Sequence, residues 1–164
     1  MSGRDAQRAK VYAAEALTRR VLDQSAEFRT IELAGSTLTL PAEIKFGDLA
    51  AVQKYVDHVL MQDWVVAAYP AARMLVRVRE RAGDTQAHYE HATSTIAVPT
   101  AGDRWAMREL VVLHEIAHHL GGPEDLLHGG EFCARLIHLV SEMVGPEAAL
   151  LLRINLLDAG AHIA

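Results

Sequence analysis

The stretch that decides the fold is Leu110-Val111-Val112-Leu113-His114-Glu115-Ile116-Ala117-His118-His119-Leu120. Apolar residues surround its polar ones, a pattern typical of a helix that is buried in a protein core. On such a helix, residues four apart lie on one face, so His114 and His118 present their imidazoles to the same point. Two neutral imidazole nitrogens can bind one divalent ion. The sequence therefore predicts a metal site on this helix.

Glu115 is the candidate catalytic base of the predicted metal site. It follows His114 directly, so its carboxylate can reach a water on the ion without having to bind the ion itself. Zinc lowers the pKa of such a water to about 7, and a neighbouring carboxylate can then take its proton. His114, Glu115 and His118 form the H-E-x-x-H motif of zinc metallohydrolases. The alternative is a core helix with fortuitous histidines, but buried polar groups are costly unless they are satisfied. We predict one Zn²⁺ ion, with Glu115 as catalytic base.

A catalytic zinc site usually has a third protein ligand, and His128 is the favoured candidate. It lies ten residues after His118, beyond a Gly-Gly-Pro sequence that should end the helix. A loop of this length can return an imidazole to the ion. We expect Gly129 and Gly130 to allow a tight turn there, and Phe132 to pack beneath the ligand.

Three acidic residues are alternative third ligands. Glu124 lies six residues after His118, which is the spacing that metzincins use, although those proteins have a histidine at this position. Glu131 could bind from the following helix, as in gluzincins, but an acidic residue in a first helical turn is equally explained by the helix dipole. Asp125 is the weakest of the three.

Composition favours one globular domain over residues 1–164, of which 51% are hydrophobic and 23% charged. The net charge of −5 provides no electrostatic footprint for a nucleic acid or an anionic membrane. A single cysteine, Cys133, excludes an internal disulfide and suits a reducing cytosol. The start of the chain lacks the apolar region of a signal peptide, and no apolar run is long enough to span a bilayer. We therefore predict a cytoplasmic protein.

Hydrophobic periodicity predicts an α+β fold, with helices packed on a small mixed or antiparallel sheet and the H-E-x-x-H helix at its centre. Asp48 and Asp103 are predicted helix caps. Residues 63–72 are ambiguous and are treated as a connector, and residues 82–84 as a turn. Helices are predicted over 5–24, 48–62, 103–120, 131–144 and 148–157, a hairpin over 28–40 turning at Gly35-Ser36, and strands over 74–80, 87–91 and 94–98.

The H-E-x-x-H motif followed by His128-Gly129-Gly130-Glu131-Phe132 resembles the zincin pattern of SprT-like and WLM-type metallopeptidases. The resemblance covers roughly residues 74–144. It implies His114, His118 and His128 as ligands and Glu115 as base. It also implies that a strand near 87–98 borders the cleft and holds an extended peptide by strand addition.

One further resemblance and one difference concern the two ends of the chain. Its start, from Arg4-Asp5 to Glu15, and its length resemble a family of small actinobacterial metallohydrolases. It departs from the SprT-like proteases because it lacks their C-terminal zinc ribbon and basic tail. That difference argues against DNA-linked substrates.

Four other residues are candidates for secondary roles. His119 is turned about 100° from His118, so we expect it to support the site or lie on the surface rather than bind the ion. Tyr89 and His91 share one face of a predicted strand, where either could donate a hydrogen bond to an oxyanion. Packing is the commoner role for a strand tyrosine. Cys133 is expected to pack as a small apolar residue.

The predicted function is zinc-dependent hydrolysis of a peptide bond in a peptide or protein substrate. Two alternatives remain open at this stage. Small three-histidine endoribonucleases of the YbeY type also carry two histidines four apart and a third after a glycine, but they have glycine in place of Glu115. A non-catalytic zinc-binding interaction domain would not need Glu115, and a purely structural site would be expected to have a fourth protein ligand.

Overall fold

The computed structural model describes residues 4–83, 85–125 and 127–164, and in these ranges the chain is α+β, as predicted. Its contacts form two compact units, Met1–Glu43 with Leu127–Ala164, and Ile44–Leu126. The expectation of a single domain over residues 1–164 stays a prediction. The elements in chain order are α1 (Arg8–Gln24), β1 (Thr30–Leu33), β2 (Ser36–Thr39), α2 (Leu49–Leu60), α3 (Asp63–Ala68), a 3-10 helix (Pro70–Arg73), β3 (Arg77–Arg81), β4 (His88–Glu90), β5 (Thr95–Pro99), α4 (Glu109–Gly121), α5 (Gly130–Met143) and α6 (Pro146–Asp158).

Three helices build the core of the first unit. Helix α6 packs against both α1 and α5, and each of the three helices contributes fully buried apolar side chains. Val11 lies on α1, Phe132 on α5 and Leu152 on α6. One polar pair bridges two of the helices, because Asn155 Nδ2 donates to Thr18 Oγ1 at 2.9 Å. Burial of these apolar surfaces supplies the main driving force for packing the three helices.

The predicted hairpin is present in this unit, with its turn one residue earlier than expected. Strands β1 and β2 are antiparallel, and Leu33 pairs with Ser36. The two-residue loop is therefore Ala34-Gly35, with φ values of 50° and 81°. Two positive φ values define a type I′ turn, whose twist matches that of the flanking strands.

A mixed three-stranded sheet forms part of the second unit, in the order β3-β5-β4. The central strand β5 is buried throughout, runs parallel to β3 and is antiparallel to β4. The outer edge of β3 is covered by Gln53 of α2. Its Oε1 accepts from Val78 N at 2.8 Å and its Nε2 donates to Val76 O at 2.9 Å. The amide thus satisfies one N–H of β3 and the carbonyl group of the residue just before the strand.

Helix α4 carries the motif and begins later than predicted. Asp103 is not its cap, because Asp103 Oδ1 accepts from Trp105 N at 3.2 Å in a local turn. The chain then runs extended, with Phe46 N donating to Met107 O at 2.8 Å, and the helix begins at Glu109. The residues just before α4 are therefore held by backbone hydrogen bonds to residues 44–46, and this pairing was not predicted from the sequence.

Helix α4 is buried from Glu109 to Leu120, as its apolar sequence predicted. It ends at Gly121, and Gly122 follows with a φ of 72°. Only glycine adopts this conformation readily, so the Gly-Gly-Pro sequence does end the helix. Among the described residues, no helix combines the length and the apolar character needed to cross a membrane.

Other predicted boundaries shift by a few residues. Helix α1 begins at Arg8 rather than at 5, and β3 begins at Arg77 rather than at 74. The connector 63–72 contains α3 and the start of the 3-10 helix. Asp84, in the predicted turn 82–84, lies outside the described residues.

Candidate metal centre

Helix α4 places His114 and His118 one turn apart on the same face. Their ring centroids are 5.0 Å apart and the ring planes make an angle of 68°. Both side chains are buried, in keeping with the apolar residues around them. The i, i+4 geometry inferred from the sequence is therefore confirmed.

His128 joins these two residues in one cluster. Each of the three histidines offers a ring nitrogen, and these atoms lie within 4.8 Å of one another. Tetrahedral ligands about 2.0–2.1 Å from a zinc ion lie roughly 3.3 Å apart, and nitrogens within 4.8 Å of one another are compatible with that spacing. Nitrogen donors suit zinc well, and three of them leave one coordination position open. The three imidazole donors therefore fit a zinc ion.

The three acidic alternatives are not part of this cluster. Glu124 and Glu131 are exposed, and Asp125 is half-buried. Within the described residues, one group of potential metal ligands lies close together, and it consists of His114, His118 and His128.

Asp5 holds the imidazole of His128. Asp5 Oδ2 lies 2.6 Å from His128 Nδ1, and Asp5 Oδ1 accepts from the backbone N of His128 at 3.4 Å. A carboxylate only accepts hydrogen bonds, so Nδ1 carries the proton. In the neutral ring, Nε2 then keeps its lone pair, which is the form that binds a metal ion.

Further contacts fix the rest of His128. Gln7 Nε2 donates to the His128 carbonyl oxygen at 2.9 Å. The rings of Tyr12 and Phe132 lie against the imidazole, with centroids 5.3 Å and 4.9 Å away. The predicted packing of Phe132 on the ligand is confirmed, whereas sequence reasoning did not connect Gln7 and Tyr12 with His128.

The two glycines after His128 have a different role from the one predicted. Gly129 has a φ of −73°, and neither glycine adopts a positive φ, so no tight turn requires them. A Cβ on Gly130 would overlap His162 Nδ1 and lie 3.0 Å from Ala164 N. Gly130 therefore leaves room for the residues that follow α6.

Glu115, the predicted base, lies beside His114 on α4 and is only 4% exposed. A carboxyl group on the helix that carries His114 and His118 has the chemistry needed to exchange a proton with a water. Its catalytic role stays a prediction.

His119 is held in a separate buried network. Its Nε2 lies 2.8 Å from the carbonyl oxygen of Ala71, and its Nδ1 lies 2.7 Å from the hydroxyl of Tyr89. The carbonyl can only accept, so Nε2 donates to it and Nδ1 accepts from Tyr89. Burial lowers the pKa of His119, which favours this neutral form. His119 is 2% exposed and lies outside the histidine cluster, so of the two roles expected for it only the surface one is excluded.

The oxyanion donors proposed from the sequence stay untested. Tyr89 directs its hydroxyl to His119, and burial raises its pKa. The ring of His91 packs edge-on against Tyr89, with centroids 4.6 Å apart. Tyr89 thus holds His119 through a hydrogen bond, and His91 packs on the ring of Tyr89.

Cys133 packs inside α5, as predicted. It is fully buried, and burial raises the pKa of its thiol to about 11. A thiol with this pKa is protonated at neutral pH and is a poor nucleophile.

Asp5 and Gln7 are the neighbours of the cluster that sequence reasoning missed. They precede His128 by 123 and 121 residues. No local pattern connects positions so far apart, and the sequence indicated no contact between Asp5 and the metal site.

The chain matches no protein-family model, no curated protein and no solved structure.

Proposed function

We propose that this protein is a zinc-dependent metallohydrolase that cleaves peptide bonds. His114, His118 and His128 would hold one ion, and Glu115 would act as the catalytic base. The observation that carries the proposal is the meeting of three buried imidazoles within 4.8 Å, two of them on the helix that bears Glu115. A zincin-like arrangement of this helix and its sheet is part of the same proposal.

Zinc bound by three imidazoles would supply a Lewis acid and a water whose pKa is about 7. Glu115 takes a proton from the attacking water as the water oxygen bonds to the peptide carbonyl carbon. The carboxyl group then returns this proton to the amide nitrogen, and the carbon–nitrogen bond breaks. Because Glu115 is buried on α4, it can hold the proton between these two steps with little exchange into bulk water.

The small sheet supports a peptide as the substrate. Strand β4 is an antiparallel edge strand that contacts α4, the helix of the motif. An edge strand can bind an extended peptide through backbone hydrogen bonds. At the opposite edge, Gln53 already bonds to the backbone at the start of β3. The net charge of −5 favours this substrate over RNA.

Metal analysis and one substitution test the proposal together. The purified chain should bind about one zinc ion, and Glu115→Gln should keep that ion. The variant should hydrolyse casein and a mixture of fluorogenic peptides about 10²–10⁴-fold more slowly than the wild type, as expected for loss of a general base. Glu124→Gln is the matched control, because this exposed residue follows α4 and lies outside the cluster.

Three results would overturn the proposal. A chain that binds no zinc has no site of this kind. Full activity of Glu115→Gln would exclude this residue as the base. Cleavage of an RNA probe without cleavage of any peptide would assign the site to a nuclease instead.

A further inference from the structure

We infer that Asp5 is the positioning residue of the third metal ligand: its carboxylate sets the tautomer and orientation of His128 so that Nε2 is available to the ion. The inference rests on the proposed function, since it requires His128 to be a ligand. It assigns a role to the amino-terminal segment, which the motif and its chemistry leave unexplained.

The contact between Asp5 and His128 has the properties of an orienting interaction. The 2.6 Å separation of Oδ2 and Nδ1 is typical of a strong, charge-assisted hydrogen bond. The two side chains are largely shielded from water, with 7% of His128 and 19% of Asp5 exposed. A carboxylate that accepts from the far nitrogen of a ligating histidine fixes the ring and raises its basicity.

The backbone around His128 is held by the same segment. Asp5 Oδ1 accepts from the His128 backbone N, and Gln7 donates to the His128 carbonyl oxygen. Gln7 is also the residue that precedes α1, and it bonds to both backbone groups of His162. The ring, the N–H and the C=O of His128 are thus each fixed by a hydrogen bond within the protein, which lowers the entropy cost of binding an ion.

Zinc affinity, measured by competition with a chromophoric chelator on the full chain, tests this role without any enzyme assay. Asp5→Ala should weaken zinc binding about 10–100-fold, the usual effect of losing such a partner. Asp5→Asn should weaken it less, because the amide oxygen can still accept from Nδ1. Asp158→Ala is the matched control: it removes the same group from an exposed position at the end of α6 and should leave the affinity unchanged.

A double variant separates positioning from a general structural effect. If Asp5 acts through His128, adding Asp5→Ala to His128→Ala should cause no further loss of zinc affinity. A similar loss in both backgrounds would overturn the inference, as would wild-type affinity of Asp5→Ala. If circular dichroism shows that Asp5→Ala is unfolded, Asp5→Asn decides the question, and wild-type affinity of that variant would overturn the inference.

The failure of the inference and that of the proposed function are distinguishable. Unchanged zinc affinity of His128→Ala would remove His128 from the ligands and defeat both. A large loss for His128→Ala with no loss for the Asp5 variants would leave the proposed function intact and defeat only the role of Asp5.

Discussion

Replacing Tyr89 with Phe removes one hydroxyl from a buried network and tests how His119 is held. The substitution keeps the ring, which is 6% exposed, and takes away the only donor that faces His119 Nδ1 at 2.7 Å among the hydrogen bonds described. An acceptor left unsatisfied in a buried position costs about 1–3 kcal/mol. For 164 residues the unfolding entropy is roughly 0.34 kcal/mol/K. A loss of about 2 kcal/mol therefore lowers the melting temperature by about 6 °C.

The assay is thermal and urea unfolding of the chain in excess chelator, so that metal binding does not contribute to the free energy of unfolding. The control repeats Tyr89→Phe in a His119→Leu background. There the hydroxyl has already lost its acceptor, so the substitution should cost less than about 0.5 kcal/mol or even stabilise the protein. Equal losses in the two backgrounds, or a melting temperature that Tyr89→Phe leaves unchanged, would refute the hydrogen bond between Tyr89 and His119.

Two further predictions concern a helix cap and a thiol. Asp48 Oδ1 accepts from Ala51 N at 2.8 Å, so Asp48→Ala should lower the free energy of unfolding by about 1 kcal/mol, seen as a melting temperature lower by about 3 °C; an unchanged melting curve would contradict the cap. The pKa of Cys133 rises from 9.0 to about 11 on folding, so the unfolded chain loses this proton before the folded one does. Stability should therefore fall as the pH rises from about 9 towards 11, and a Cys133→Ala variant should lack that part of the decline. At pH 8 the native thiol should react with iodoacetamide about a hundredfold more slowly than in urea, and equal rates would disprove its burial.

Local patterns in the sequence predicted the parts of the fold that local physics controls. Asp48 caps α2 as expected, and His114 and His118 face the same way because the helical repeat requires it. The turn residues Gly35 and Ser36 predicted the position of the hairpin. The error at that turn is one residue, since Gly35 is the second residue of the loop rather than the first.

The sequence was less informative where contacts between distant segments determine the local structure. Asp103 has the residue type of a helix cap, but pairing of residues 107–109 with 44–46 keeps the chain extended there, and α4 begins later. Gly130 was explained by a turn, although what requires it is the space that His162 and Ala164 occupy. Asp5 could not be connected with His128, because no residue pattern reports a contact across 123 positions.

The two compact units differ in how they can form during synthesis. Ile44–Leu126 is continuous in sequence, so it is complete before the ribosome has made α5 and α6. The other unit is discontinuous, and α1 must wait for α6, its packing partner. Domains generally fold as units during translation, in the order in which they emerge. The apolar face of α1 therefore stays uncovered on the nascent chain until α6 has been made.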